Sequence, residues 1–425
     1  MSGAGMMGAF VALMTTGLPV AMAMAGASLI YVMVSGNVPD FVVIHRMYGG
    51  VDSFPLLAVP FFIWAGNLMN SAGITNRIYN FALALVGWLK GGLGHVNVVG
   101  SMIFAGMSGT AIADAAGLGT IEIKAMKDHG YPTEFAVGIT AASATVGPII
   151  PPSLPFVIYG MMAGVSIGQL FLAGVVPGLI MGLTMMATVA WFAHRRNYQA
   201  DAVFSWSKLG STFLHAILAL MTPVLLVGGM TMGVFTPTEG AIAASAWALF
   251  LGLVWYRTLN WRMLVKISMD TIETTATVLF IVAAASIFGW LLTVTRVTDQ
   301  VAAAVLAFTH DPYMFLLLAN LLMLFVGCFL EPTAAITLLV PILVPICQQL
   351  GIDLVHFGLV MVLNLMIGLL HPPMGTVLFV LSRVANLSFE RTTMAILPWL
   401  VPLLGTLALC TYVPSVVLWL PRQFF

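Results

Sequence analysis

Four prolines, Pro148, Pro151, Pro152 and Pro155, interrupt the uncharged run VGPIIPPSLPFVIYG (146–160), and Pro372 and Pro373 interrupt IGLLHPPMGTVLF (367–379). Proline lacks a backbone donor and collides with the preceding turn, so both runs must leave the helix near their middle. The carbonyls freed there need partners, which a neighbouring hairpin tip, a bound cation or a solvated substrate could supply. In transporters the carbonyls of broken helices coordinate Na⁺ while half-helix N-termini face anionic substrate groups. Two other apolar stretches carry small, kink-prone and oxygen-bearing residues: GMSGTAIADAAG (106–117), with Ser108, Thr110 and Asp114, and GCFLEPTAA (327–335), with Glu331 and Thr333. A carboxylate at the bilayer centre costs at least ~2.5 kcal/mol on insertion scales, so Glu331 marks function by default.

The elements that must position these residues are membrane helices. The chain has 425 residues, 60% hydrophobic and 7% charged, with 15 basic against 15 acidic side chains and a mean hydropathy of +1.05. That composition implies an all-α polytopic membrane protein in a lipid bilayer, without a soluble domain and without a basic surface for nucleic acid. Residues 1–34 lack a basic leader and a small-residue cleavage site and read as a first span. Apolar segments lie near 6–34, 54–71, 96–123, 134–160, 168–193, 211–233, 237–256, 272–294, 313–347, 357–382 and 394–420. If every one crossed, the basic loops would be divided between both faces. If 96–123 and 313–347 dip in and return, Arg77, Lys90, Lys124, Lys127, Arg195, Arg196, Lys208, Arg257, Arg262, Lys266, Arg383 and Arg391 share one face, leaving Arg46, Arg296 and Arg422 on the other. The positive-inside rule selects the second arrangement, with a cytoplasmic N-terminus and a periplasmic C-terminus. The cysteines Cys328, Cys347 and Cys410 sit in apolar runs and imply neither a disulfide framework nor a metal site.

An internal repeat pairs the two sets of motifs. Gly147 and Gly368, Pro151 and Pro372, Pro152 and Pro373, and the glycines Gly106 and Gly327 each stand 221 residues apart, and ITNRI (74–78) matches VTDQV (297–301) with a small slip. Hairpins entering from opposite faces make the halves an inverted repeat. Residues 1–210 form the first, with its hairpin near 96–123 and broken helix at 134–160; residues 211–425 form the second, with its hairpin near 313–347 and broken helix at 357–382. The unmatched segment 211–233 performs the inversion. Non-helical backbone at membrane depth survives only when buried in protein or lining a polar cavity, so the two hairpins imply a shared central site.

The order FAGMSGTAIADAAGLGTI (104–121), VGPIIPPSLPFVIYG, LFLAGVVPG (170–178), FTPTEGAIAA (235–244) and HFGLVMVLNLMIGLLHPPMG (356–375) resembles the large membrane (M) subunit of tripartite ATP-independent periplasmic (TRAP) transporters, the DctM-like family, over essentially the whole chain. The resemblance implies a secondary transporter of the inner membrane that takes up an organic acid anion on a Na⁺ gradient, with two or more Na⁺ ions, by an elevator movement of a transport domain against a scaffold. It implies two protein partners, a small four-helix membrane subunit (Q subunit) on a separate chain and a soluble periplasmic binding protein that delivers the substrate.

Carried onto this sequence, the resemblance places one Na⁺ site at Ser108 and Thr110, with carbonyls near Gly106, Gly147, Ile150 and Pro152. The spacing of 221 places a second at Gly327, Glu331 and Thr333, with Gly368, His371 and Pro373 opposite. Relatives often carry aspartate where Glu331 stands, and threonine or serine where His371 stands. His371 is either a packed histidine or a group for substrate recognition or proton linkage. Asp114 either braces the first tip by accepting hydrogen bonds or is a buried structural carboxylate; Pro148, Pro151 and Pro372 support the breaks. Arg296, at the outer end of TVTRVTD, either meets the anion's carboxylate or pairs with Asp299. Ser153 and Ser166 are further substrate candidates. WFAHRR (191–196) and YRTLNWR (256–262) read as interfacial anchors. The competing functional class is a stand-alone Na⁺-coupled dicarboxylate or citrate carrier. An intramembrane enzyme lacks a paired-aspartate, HExxH or GxS arrangement in the spans.

Overall fold

The computed structural model of the chain describes residues 2–36, 38–372 and 375–425, and of Ser108 the backbone alone. Helices α1 (Gly3–Thr15) and α2 (Val20–Ser35) are followed by α3 (Phe41–Val51), a 3₁₀ turn (Phe54–Leu57), α4 (Ala58–Ser71) and α5 (Ile74–Val86). Next come α6 (Gly92–Ser108), α7 (Ala111–Ala116) and α8 (Leu118–Asp128), which fold into a helical hairpin, then α9 (Thr133–Ala144), α10 (Leu154–Ala163) and α11 (Ile167–Arg195). After α12 (Trp206–Thr231) and α13 (Pro237–Phe250), which runs into a π-helical end (Leu251–Trp255), stand α14 (Trp261–Val294) and α15 (Val297–Phe308). A second hairpin, α16 (Pro312–Gly327) and α17 (Pro332–Gln349), precedes α18 (Leu354–Gly368), α19 (Thr376–Ala385), α20 (Phe389–Tyr412), α21 (Pro414–Leu418) and α22 (Pro421–Phe424).

Among the described residues no strand forms; a single antiparallel bridge joins Lys90 to Ala200. Helices satisfy their own backbone groups, which lipid cannot do, and this chain has little polar sequence with which to do anything else. Seven helices among the described residues are long and apolar enough to cross a membrane. The two breaks fall where the prolines require them, between α9 and α10 and between α18 and α19. The halves that precede the breaks are the innermost helices of the protein: all residues from Phe135 to Ala144 and from Val355 to Gly368 are buried.

Hydropathy misreads the chain start. Residues 6–34 are two helices packed on each other, because Gly17 takes a left-handed conformation (φ +87°) and Pro19 ends the turn as the N-cap of α2. Gly3 lies against Thr295 and Val297, and the Phe10 ring meets Phe288 at 5.2 Å. The N-terminus therefore sits at the end of α14 that carries Arg296, and the expectation that the two lie on opposite faces does not hold. The slipped pair ITNRI and VTDQV opens equivalent helices, since Ile74 and Val297 are the first residues of α5 and α15.

Candidate cation and substrate site

The first hairpin turns at Gly109, whose φ of +62° only glycine adopts without strain. A β-carbon there would lie 2.8 Å from the carbonyl oxygen of Pro152, so the tip rests directly on the backbone of the break. Thr110 caps α7, its hydroxyl accepting from the Ala113 N–H at 3.3 Å, and its own carbonyl would stand 3.4 Å from a β-carbon on Gly147. Thr110, Pro152 and Gly147 thus meet as expected. Gly106 lies between the ring of Pro223 in α12 and the Pro151 carbonyl of the break, which a β-carbon there would meet at 2.7 and 3.7 Å. The side chain of Ser108 lies outside the described residues. Ile150 is held against Gly178, and the Ile149 carbonyl against Gly174, so small residues of α11 brace the broken segment where it has no helix of its own.

The second hairpin turns through Cys328–Leu330 to Glu331, the N-cap position of α17. Its backbone touches the second break as closely. A β-carbon on Gly368 would lie 2.8 Å from Gly327 Cα and 3.0 Å from the Gly327 carbonyl oxygen. Thr333 donates to Glu331 Oε1 at 3.0 Å, and Glu331 itself is exposed. Both tips open on one cavity of about 50 Å³, lined by Thr110, Pro148 and Pro155 from the first half and by Glu331, Thr333 and Leu369 from the second. A space of that size admits a cation or a water molecule or two, and excludes an organic acid. Most of its lining is apolar, and the side-chain oxygens of Thr110, Glu331 and Thr333 are the groups there that suit a hard monovalent ion.

The remaining candidates separate from this cavity. His371 is half-buried, its Nδ1 bonded to the Ile367 carbonyl at 3.0 Å, so the ring closes the frayed end of α18. Pro372 is exposed, and Pro373 lies outside the described residues. Ser153 is fully buried, donating to the Pro148 carbonyl and capping α10, which leaves it no reach to a substrate. Ser166 caps α11 and lines a different cavity of about 550 Å³ with Ser53, Thr236 and Phe425; no basic side chain lines it. Arg296 is exposed in a left-handed turn (φ +55°), and neither pairs with Asp299 nor lines the cavity between the tips. Asp114 is buried beside the Ser101 hydroxyl, and no backbone N–H of the tip donates to either carboxylate oxygen.

Sequence reasoning overlooked the polar layer behind the tips. In the first half Asn97, Ser101, Glu122, Thr140 and Ser143 interlock; in the second, Asn364 donates to Asn320 and Asn320 to Thr411. A signal did exist, because Leu118, Glu122 and Met126 repeat every four residues and share the buried face of α8. Arg77 stacks on Tyr256 at 3.7 Å and Arg195 on Trp191 at 5.0 Å.

The family model of the tripartite ATP-independent periplasmic transporter DctM component matches residues 7–416. The chain belongs to the DctM family. It is 45% identical over 412 residues to the sialic acid TRAP transporter large permease protein SiaM of Vibrio cholerae, covering 97% of this chain and 96% of that one. It is 36% identical to the 2,3-diketo-L-gulonate large permease YiaN of Escherichia coli, covering 95% of each. The sialic acid permease SiaT of Haemophilus influenzae is 41% identical and longer, this chain covering 67% of it. Among solved structures, the YdaH transporter of Alcanivorax borkumensis superposes with a TM-score of 0.64 at 14% identity, over 87% of this chain and 86% of that one, a likeness of fold alone. Members of the DctM family are transport permease subunits and not enzymes, and the family works with a small permease subunit and a periplasmic binding protein. Membership and the apolar helices together indicate a multi-pass inner-membrane protein.

Proposed function

We propose that the chain is the large permease of a Na⁺-coupled TRAP transporter that imports an organic acid anion. The observation that carries the reading is the cavity shared by the two hairpin tips, where Thr110, Glu331 and Thr333 converge beside the broken helices. One Na⁺ binds at Thr110, Ser108 and the carbonyls around Gly147 and Pro152; another binds at Glu331, Thr333 and the backbone of Gly327 and Gly368. The hairpins are re-entrant, enter from opposite faces of an inverted repeat, and move with the broken helices as the transport part of an elevator. The face rich in lysine and arginine is cytoplasmic. On that orientation, Gly3 beside Thr295 and Phe425 beside Gly168 support a periplasmic side for both chain ends. The small cavity holds ions only, so the anion's space opens when the transport part moves against the scaffold.

The relatives named for sialic acid, 2,3-diketo-L-gulonate and C4-dicarboxylates point to a carboxylate as substrate, with sialic acid the first to try. A small four-helix subunit on a separate chain and a periplasmic binding protein complete the system. The test is uptake into proteoliposomes. Accumulation should require an inward Na⁺ gradient, the small subunit and the loaded binding protein together. Accumulation driven by Na⁺ without either partner would make the chain a stand-alone carrier, and uptake indifferent to Na⁺ would remove the ion sites.

A further inference from the structure

Glu122 is 2% exposed in the interior of the first hairpin, between α6, α8 and α9. The donors around it can be accounted for one by one. Asn97 Nδ2 gives one hydrogen to Glu122 Oε2 at 2.7 Å and the other to Thr140 Oγ at 2.7 Å. Thr140 donates to the Ala136 carbonyl at 2.8 Å, Ser143 to Asn97 Oδ1 at 2.7 Å, and Ser101 to Ser143 at 3.1 Å. No hydrogen remains for Glu122 Oε1, which has no partner and faces Gly100, where a β-carbon would lie 2.8 Å away.

No cation answers it either. Among the described residues, the titratable groups on the elements packed against α8 are Arg77 and Tyr79 on α5, His95 on α6, Asp114 on α7, Glu134 on α9 and Arg383 on α19. Tyr79 and Asp114 are the ones close enough to act on Glu122 electrostatically, and both are acids. Arg77 on α5 is turned onto Tyr256, and Glu134 pairs with Arg391. Lys124, Lys127 and Asp128 of α8 itself are exposed. An unpaired buried carboxylate costs several kcal/mol, whereas a neutral acid keeps the Asn97 bond at its carbonyl oxygen and leaves one unpartnered O–H, a smaller penalty.

We propose that Glu122 is a proton-binding site in the first hairpin, holding its proton at neutral pH so that the hairpin packs on α9 as a neutral unit behind the tip. The ligand is a proton: a β-carbon on Gly100 would already lie 2.8 Å from Oε1, so a larger cation with its ligand shell has no room there, whereas a hydrogen does. The group is neutral in the packed hairpin and ionised in an unfolded chain, so stability falls as pH rises above the ordinary carboxylate range toward the value of the buried acid.

Infrared difference spectra of the purified chain against Glu122→Gln at neutral pH test this directly. The wild type should show the C=O stretch of a neutral carboxylic acid, shifted in D₂O, that the variant lacks. Glu122→Gln should fold, and its unfolding temperature should lose the decline that the wild type shows as pH rises from the ordinary carboxylate range toward the value of the buried acid. In the assembled transporter, uptake by the wild type should fall about tenfold per pH unit once the acid ionises, and the variant should keep its uptake there. A wild-type spectrum without such a band, a band that persists in Glu122→Gln, or an identical decline of stability above the ordinary carboxylate range in both proteins would overturn the proposal. So would Na⁺ stabilising the wild type but not the variant, which would make the chamber a Na⁺ site. If the variant fails to fold, the wild-type band and the pH slope of its stability decide alone.

Discussion

The two hairpins are built from the same backbone device and place their charge at different depths. In the first, the tip presents Thr110 and the carboxylates Asp114 and Glu122 lie behind it, buried. In the second, Glu331 stands at the tip, open to the shared cavity, and the layer behind it is neutral: Asn364 donates to Asn320 Oδ1 at 2.7 Å, and Asn320 to Thr411 at 3.1 Å. Ser143 and Asn364, which tie each broken helix to the first limb of its hairpin, are 221 residues apart. A charge at the cavity can be met by an arriving cation, while a charge behind the tip cannot. The difference teaches that two breaks held by similar backbone contacts can carry different chemistry behind them.

The contact between tip and break should be the most fragile part of the comparison. Gly368→Ala forces a β-carbon onto the Gly327 backbone, which cannot yield as a side chain would. It should cost about 3 kcal/mol or abolish folding, read as thermal unfolding in detergent. Gly147→Ala meets its nearest atoms at 3.2 and 3.4 Å and should cost about 1 kcal/mol. Equal losses at the two positions would mean that the breaks are not held differently. Next in size is Glu331→Gln, which keeps shape and removes charge. Half-saturating Na⁺ should rise about tenfold, roughly 1.4 kcal/mol, with the unfolding temperature little changed; an unaltered Na⁺ requirement would take Glu331 out of the site.

Much of this arrangement is legible in the chain. The prolines dictate both breaks, Gly106 and Gly327 mark the hairpins through their common spacing, and Glu331 declares itself by cost alone. What was not legible depends on neighbours distant in sequence. The division of residues 6–34 turns on one left-handed glycine before a proline, inside a stretch whose hydropathy is continuous. Glu122 reads as an interfacial residue beside Lys124 and Lys127 until α6 and α9 bury it. Ser153 has the composition of a substrate ligand, but its hydroxyl is committed to the Pro148 carbonyl five residues earlier.

The neutral layer of the second half sharpens the comparison further. Asn364→Leu removes a buried amide whose donors both go to Asn320, leaving that residue's side-chain oxygen without a partner. A loss of about 2 kcal/mol is expected. Ser143→Ala removes a single donor to Asn97 and should cost about 1 kcal/mol. Both changes should leave the pH dependence of stability as it is in the wild type, because neither residue titrates; a changed slope in Ser143→Ala would show that the Asn97 chain sets the protonation of Glu122.

The smallest effect is expected at Arg296. Its guanidinium is exposed and has no acidic partner, although TVTRVTD places Asp299 three residues away. Arg296→Gln should leave stability within about 0.5 kcal/mol and uptake at its wild-type level. A fall in uptake with unchanged Na⁺ dependence would mean that an anion, or the protein delivering it, meets this arginine in a conformation other than the one described. The second half would then carry an anion contact as well as the tip carboxylate, and the asymmetry between the halves would extend from the cavity to the surface.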